Sequence, residues 1–254
     1  MYESLFQLNG RNAMVFGGAG GIGQALVQGL VEFGANVTIA SRNEESLKRA
    51  QQEIKEATGK DIAYYVCDAS NEEEVKLLSE KYIADNGKVD ILLNAQGFNK
   101  KNPAVDFPMD AWDQMFTVNV RSLMLTCKYF GKLMKEQGYG KIINLSSVRG
   151  VRACGGGNAG YCATKGAVDM LTRTLAVELG PEVTVNAIGP TVTITPMMNM
   201  FTPEQMEKMG GNKPLKRIGK AEDCIGTAVF LASSASDFMT GQILYPDGGL
   251  TAIG

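Results

Sequence analysis

The sequence predicts an α/β fold built on one doubly wound parallel sheet, and two patterns predict it. Short apolar runs of strand length alternate with helix-length segments along the whole chain. A glycine cluster, Gly17-Gly18-Ala19-Gly20-Gly21-Ile22-Gly23, falls at the first strand-to-helix junction. The 254 residues contain no repeat, low-complexity tract or interdomain linker, so one large domain spanning 1–254 accounts for them.

The elements follow in order. Residues 13–16 form an apolar strand that runs into the glycine loop, and residues 23–33 the first helix, stopped by Gly34. Residues 36–40 are the second strand. Asn43 opens a charged helix that ends near Gly59, and residues 62–67 are the third strand. Ser70-Asn71-Glu72-Glu73 has the spacing of a capping box ahead of the next helix. Strands are expected at 89–93, 141–145, 183–188 and 242–245. Trp112, Met115, Phe116, Leu123 and Tyr129 carry helical spacing through 110–135, and Ala167, Val168, Leu171, Leu175 and Leu179 mark a long buried helix. Residues 191–217 break the rhythm with Pro196, Pro203, a Gly-Gly pair and five methionines, Met197, Met198, Met200, Met206 and Met209. Long connections in compact domains are usually functional, so this one reads as a substrate lid with one or two short helices, or as an oligomer contact.

Composition narrows the function. Lys plus Arg is 25 and Asp plus Glu is 27, a net charge of −2 with no block of like charge, which argues against nucleic acid or a membrane surface as partner. No apolar run is long enough to span a bilayer, and Met1-Tyr2-Glu3-Ser4-Leu5 lacks the character of a signal peptide. Five cysteines (Cys67, Cys127, Cys154, Cys162, Cys224) without CxxC spacing read as reduced thiols in a cytoplasmic protein. There is no histidine, which removes Ser-His-Asp hydrolysis, HExxH metalloproteases and most zinc sites. No metal is expected, and acid/base chemistry falls to Tyr, Lys, Asp, Glu or Cys.

Two motifs carry chemistry. Gly17, Gly21 and Gly23 make a GxxxGxG whose bare backbone and helix N-terminus suit a pyrophosphate, the Rossmann-type arrangement. After the second strand, where an acid would bind the ribose of NAD, the chain has Ser41-Arg42. That pair suits a 2′-phosphate and favours NADP(H), with NAD(H) possible; alternatively Arg42 stacks on adenine or pairs with Glu44 or Glu45. Downstream, Tyr161 and Lys165 are i and i+4 neighbours on a helix. A lysine ammonium there would lower the phenol pKa; a drop of ~3 units corresponds to roughly 4 kcal/mol, enough for a general acid/base.

Taken together, the chain resembles the short-chain dehydrogenase/reductase family over essentially its whole length. The matching pieces are Gly17-x-x-x-Gly21-Ile22-Gly23, Asp68, Asn94-Ala95-Gln96-Gly97, Asn119, Ser147, Tyr161-x-x-x-Lys165, Asn186-Ala187-Ile188-Gly189-Pro190 and Asp247-Gly248-Gly249. The resemblance implies that Tyr161 transfers the proton, that Lys165 lowers its pKa and holds the nicotinamide ribose, that Ser147 hydrogen-bonds the substrate oxygen and that Asn119 holds a relay water. It places Asp68 at the adenine amino group and Thr195 near the carboxamide or phosphates. Ala69, Asn94, Gly97 and Thr193 complete the implied cofactor set with Gly17, Gly21, Ile22, Gly23, Ser41 and Arg42. It also implies a homotetramer with D₂ symmetry. Phe16, Ala95, Gln96 and Thr191 depart from the family pattern, and Ser147 and Tyr161 stand 14 positions apart, one more than usual, so the 151–160 loop carries an insertion.

Leu5-Phe6-x-Leu8-x-Gly10-Arg11 and Gly97-Phe98-Asn99-Lys100-Lys101-Asn102-Pro103, followed by Asp106-Phe107-Pro108, are similar to gluconate 5-dehydrogenases and 2-keto-3-deoxygluconate dehydrogenases. Lys100, Lys101, Arg149 and Arg152 could ring a pocket for a sugar acid, or be solvated. The competing readings are a reductase of a 3-oxoacyl thioester or steroid, and a nucleotide-binding redox sensor without catalysis.

Overall fold

The computed structural model of the chain describes residues 2–194 and 202–253. Strands β1 (Asn12–Phe16), β2 (Asn36–Ser41), β3 (Ala63–Val66), β4 (Ile91–Asn94), β5 (Gly140–Leu145) and β6 (Val183–Ile188) hydrogen-bond in parallel. Two short strands, β7 (Thr193–Ile194) and β8 (Gly219–Lys220), pair with each other outside the main sheet. With β9 (Ile243–Leu244) the main sheet has seven strands in the order β3-β2-β1-β4-β5-β6-β9. The chain steps outward from β1 to β3, then returns to lay β4 against the other side of β1. That reversal leaves a crevice at the carboxyl ends of β1 and β4, where open α/β sheets bind ligands.

Helices α1 (Gly21–Glu32) and α2 (Glu44–Thr58) cover one face with α8 (Ile225–Ala232), and α3 (Glu72–Asn86), α5 (Ser122–Gln137) and α6 (Ala159–Leu179) cover the other. Each face has its own apolar core: Leu26, Leu30, Ile39 and Leu231 on one side, Met14, Tyr82, Phe130 and Val185 on the other. Phe16 is buried with its ring edge-on to Phe130 at 5.7 Å, and Phe130 meets Tyr82 the same way at 5.9 Å. Phe16 is therefore a core residue as well as part of the crevice floor.

Local chemistry explains most boundaries. Asn43 caps α2 by accepting from the Ser46 N–H at 2.8 Å, and Gly59 ends that helix in the left-handed region at φ 71°. The expected capping box before α3 is displaced by one residue. Asn71, not Ser70, is the N-cap, accepting from the N–H groups of Glu73 and Glu74, because Ser70 is engaged by Asp68. The single helix expected over 110–135 is two, α4 (Met109–Phe116) and α5, joined by a π-helical turn at Thr117–Arg121. In the region expected as a lid, Thr202 and Gln205 form a capping box that starts α7 (Pro203–Gly211). Thr195, Pro196, Met197, Met198 and Met200 lie outside the described residues.

Candidate active site

The glycine loop is forced by the close approach of two chain segments. Gly17 has φ +76°, and a Cβ there would come within 2.5 Å of the Gln96 nitrogen. A Cβ at Gly23 would overlap the Gly17 carbonyl oxygen, and Gly21 sits at φ +55°. Sterics require glycine at Gly17 and Gly23, and the left-handed backbone favours it at Gly21. The N-terminus of α1 consequently opens onto a cleft of about 330 Å³ lined by Gly17, Gly20, Ser41, Arg42, Asp68 and Gly97, among others. Ala69 lines it too, while Ile22 packs on the apolar core beneath.

The charges in this cleft are ordered. Burial opposes ionisation of Asp68, but hydrogen bonds from the Ser70 N–H (2.9 Å) and hydroxyl (2.7 Å), together with the charge of Arg42, hold its carboxyl below the usual range. Arg42 forms no ion pair among the described residues; Glu44 is engaged instead by Lys48 at 3.0 Å and Tyr64 at 3.1 Å. A bare glycine cradle at a helix N-terminus, an arginine with no ion pair among the described residues at the end of β2 and a carboxylate at the end of β3 together fit a dinucleotide.

At the other end of the crevice, Ser147 stands just past β5 and caps the short 3₁₀ turn Val148–Gly150, while Tyr161 and Lys165 lie in the first turns of α6. Burial pushes the Tyr161 phenol up; its hydrogen bond with Ser147 and the charge of Arg149 oppose this. The lysine behaves differently from the sequence expectation. Its ammonium donates to the Leu145 carbonyl at 2.6 Å and lies 5.6 Å from the centre of the Tyr161 ring. Sharing a helix face does not bring two side-chain heads together, and here a strand-end carbonyl takes the charge. Burial lowers the Lys165 pKa to about 8, against the opposing charge of Asp169 one turn on.

Asn119 sits buried in the π-helical turn. Its amide oxygen accepts from the Phe98 N–H at 2.7 Å, and its nitrogen donates to the Phe98 carbonyl (2.9 Å) and the Thr164 hydroxyl (3.0 Å). The side chain thus clamps the segment after β4 onto α6, and a relay water would have to use other groups of the turn, whose i→i+5 geometry disrupts the regular carbonyl ladder. Asn94 turns its side chain to the interior, donating to Asn144 at 3.0 Å and Cys127 at 3.5 Å and accepting from Thr126 at 2.7 Å. Gln96 donates to the Ser122 hydroxyl at 3.1 Å and lines the cleft, with its buried carbonyl oxygen lacking a protein partner. Thr193 donates to the Thr191 carbonyl at 2.8 Å. Thr195 lies outside the described residues.

The four expected substrate cations have different surroundings. Lys100 and Lys101 are exposed on a segment strapped to the inserted loop: Asn102 N–H donates to the Gly157 carbonyl at 3.0 Å, and Asn99 donates to Asn158 at 3.2 Å. Arg152 turns to the C-terminal segment, where it donates to the carbonyls of Leu250 and Ile253, the latter at 2.9 Å. One nitrogen of its guanidinium thus serves two carbonyls of the C-terminal segment. Arg149 stays beside Ser147, whose hydroxyl accepts from the Arg149 N–H at 3.2 Å. Sequence reasoning missed Lys213, which is buried and lies within the field of Arg149; a lysine in a polar connection reads as solvated, and no local pattern distinguishes it.

A family model described as enoyl-(acyl carrier protein) reductase matches residues 17–251. The chain is 35% identical to a gluconate 5-dehydrogenase of Gluconobacter oxydans, covering 98% of each protein. It is 34% identical to a tropinone reductase homolog of Arabidopsis thaliana over 99% of this chain and 96% of that protein. Among solved structures, a gluconate 5-dehydrogenase from Burkholderia cenocepacia, in complex with NADP and tartrate, superposes with a TM-score of 0.94 at 32% identity, covering all of both chains.

The depressed Lys165 pKa has a measurable consequence for the ligand-free protein. Between about pH 8 and 10.5 the unfolded lysine holds a proton that the folded one has lost, so in this window the wild type gains stability from this site as pH rises, and below it the cost of burying the charge is constant. Lys165→Met removes that term. The difference in melting temperature, mutant minus wild type, should fall as the pH is raised from 8 to 10; a difference that stays flat across that range in calorimetry would contradict the burial of a charged Lys165.

Proposed function

The chain belongs to the short-chain dehydrogenase/reductase family, and from this we propose that it is an NADP(H)-dependent oxidoreductase interconverting a secondary alcohol and a ketone on a sugar acid, such as gluconate and 5-ketogluconate. The observation that carries the reading is a crevice with a glycine cradle and Arg42, which makes no ion pair among the described residues, at one end, and Ser147 just past β5 with Tyr161 in the first turns of α6 at the other. A bound nicotinamide would supply or accept the hydride. Ser147 orients the substrate oxygen by hydrogen bonding. The buried Tyr161 phenol is protonated at neutral pH, the form that donates to a carbonyl oxygen as it gains negative charge; in the oxidative direction the phenolate accepts the alcohol proton. Lys165 donates to the Leu145 carbonyl with its ammonium close to Gly97, where it can reach a ribose hydroxyl of a bound cofactor. Asn119 holds the Phe98 backbone and so fixes the wall beside the reacting atoms.

Arg42 and Ser41 support a 2′-phosphate, since an arginine fork matches phosphate and no carboxylate at the end of β2 repels it. The relatives with gluconate activity, and the exposed cations at Lys100 and Lys101, support an acidic substrate. The family model's description favours a second reading, a reductase of an acyl thioester; a panel of sugar acids, polyols, steroids and acyl ketones scored by nicotinamide absorbance separates the two.

The protein is further proposed to act as a homotetramer in the cytoplasm. The five cysteines are free thiols, as a reducing compartment allows, and among the described residues no helix is long and apolar enough to cross a membrane. Met124 on α5 (39% exposed) and Met170 and Val177 on α6 (59% and 82%) leave apolar surface on two adjacent helices, more than a monomer needs to expose there.

Tyr161→Phe should retain cofactor binding, measured by fluorescence titration, and lose at least about a hundredfold in kcat, because only the proton-transfer group is removed; near-normal turnover would sink the mechanism. Ser41→Asp with Arg42→Ala should move the kcat/KM preference toward NAD(H) by adding a carboxylate and removing a cation, and a wild type that already prefers NAD(H) would refute the assignment. Light scattering at micromolar concentration should give a tetramer mass, against which a monomer would count decisively.

A further inference from the structure

We infer that Asp169 is a positioning residue for the reaction: its buried carboxylate, acting through the Ser146 hydroxyl, seats the turn that carries Ser147. The inference rests on the role of Ser147 proposed above and adds a residue behind it. Asp169 lies on α6 one turn past Lys165, and Ser146 is the first residue after β5. Both are only 2% exposed. The Ser146 hydroxyl donates to Asp169 Oδ1, with the Lys165 carbonyl, at 3.5 Å, as a weaker acceptor.

The turn is held from two sides. On the sheet side, the Ser146 N–H donates to the Ile188 carbonyl at 2.8 Å and the Val148 N–H to the Pro190 carbonyl at 3.1 Å. These bonds carry the parallel pairing of β5 with β6 past the strand ends. On the helix side, Gly150 packs so closely on Asp169 that a Cβ there would overlap the carboxylate oxygen Oδ2 and come within 2.9 Å of the Lys165 carbonyl. The carboxylate thus meets the turn twice, at Ser146 by a hydrogen bond and at Gly150 by contact. Ser147 lies between these points. Its hydroxyl accepts from the Arg149 N–H at 3.2 Å and donates to the Pro190 carbonyl at 3.3 Å.

A buried carboxylate without an ion pair destabilises a fold. Asp169 makes none among the described residues, and burial pushes its pKa up against the Ser146 hydrogen bond. What it supplies is an acceptor stronger than a neutral group would be. A hydroxyl that must turn its hydrogen to a substrate oxygen needs its own carbon held to a fraction of an ångström. The same junction also fixes Lys165, whose ammonium donates to the carbonyl of Leu145, the residue before Ser146.

The test measures kcat, KM and cofactor Kd for the wild type, Ser146→Ala, Asp169→Ala, Asp169→Asn and the double alanine variant. The substrate is whichever member of the panel of sugar acids, polyols, steroids and acyl ketones the wild type turns over fastest, and NADP(H) binding is titrated by fluorescence. Ser146→Ala and Asp169→Ala should each lose roughly ten- to a hundredfold in kcat. KM and cofactor Kd should stay within about threefold, since neither residue lines the nucleotide cleft. The double variant should lose no more than Asp169→Ala alone, because the two residues act through one bond. Asp169→Asn keeps an acceptor of the same shape and should recover most of the lost kcat. A residue that only stabilised the fold would lower the melting temperature and leave the kcat of the folded enzyme unchanged. Should Asp169→Ala fail to fold, Ser146→Ala decides alone. Folded alanine variants with kcat within twofold of the wild type overturn the positioning role and leave the oxidoreductase reading standing. A wild type inactive on the whole panel overturns both together.

Discussion

Everything in the site depends on how closely the backbone at Gly17 passes the backbone at Ala95 and Gln96. The parallel pairing of β1 with β4, with Phe16 opposite Asn94, carries both chain segments off the sheet edge at the same level. No side chain fits between them. That contact sets where α1 begins, hence where its N-terminal amides point, and it fixes the start of the segment that reaches Phe98. Asn119 then grips Phe98 through both carbonyl and amide, so the nucleotide cradle and the proton-transfer end are tied by a short length of chain. A buried polar relay reinforces the same level of the sheet: Thr126 to Asn94, Asn94 to Asn144, Asn144 to Thr172. Each of these groups has a partner, which is what allows amides inside an apolar core.

The electrostatics at Lys165 show a conflict between stability and chemistry. A buried ammonium disfavours the fold at neutral pH, and this one donates to a neutral group, the Leu145 carbonyl. A cation held there acts in a low dielectric, where its field on a bound ligand is strongest. Sites of this kind are where local rules of stability are broken.

How much of this was legible in the sequence differs from element to element. The apolar runs at β1, β5 and β6 and the glycine loop were readable because a parallel sheet buried on both faces admits little else. The π-helical turn at Thr117–Arg121 was not, since apolar spacing of helical period does not distinguish one widened turn from the regular turns around it. The α3 cap moved from Ser70 to Asn71 because Asp68 competes for the serine, a choice between two local bonds of similar strength. In the site, residue types and order pointed to Ser147, Tyr161 and Lys165, but the direction of each side chain was hidden. Lys165 turns to Leu145, Asn94 turns inward and Arg152 turns to the C-terminal carbonyls. Lys213 was invisible because burial of a lysine is a property of the assembled fold and leaves no trace in spacing.

The strap between Asn102 and Gly157 reaches beyond its single hydrogen bond. A Cβ at Gly157 would press on the Asn102 backbone at 2.7 Å, so the loop that follows β4 and the loop that precedes α6 are fitted to each other as surfaces. The two loops approach the reacting centre from different strands, yet neither can shift without the other. They constitute one wall, so a change of length in 151–160 would press on the segment 97–107. Transplanting the selectivity of this enzyme onto a relative's scaffold would require both segments to travel together, and a graft of either alone would meet a mismatched neighbour before it met any substrate.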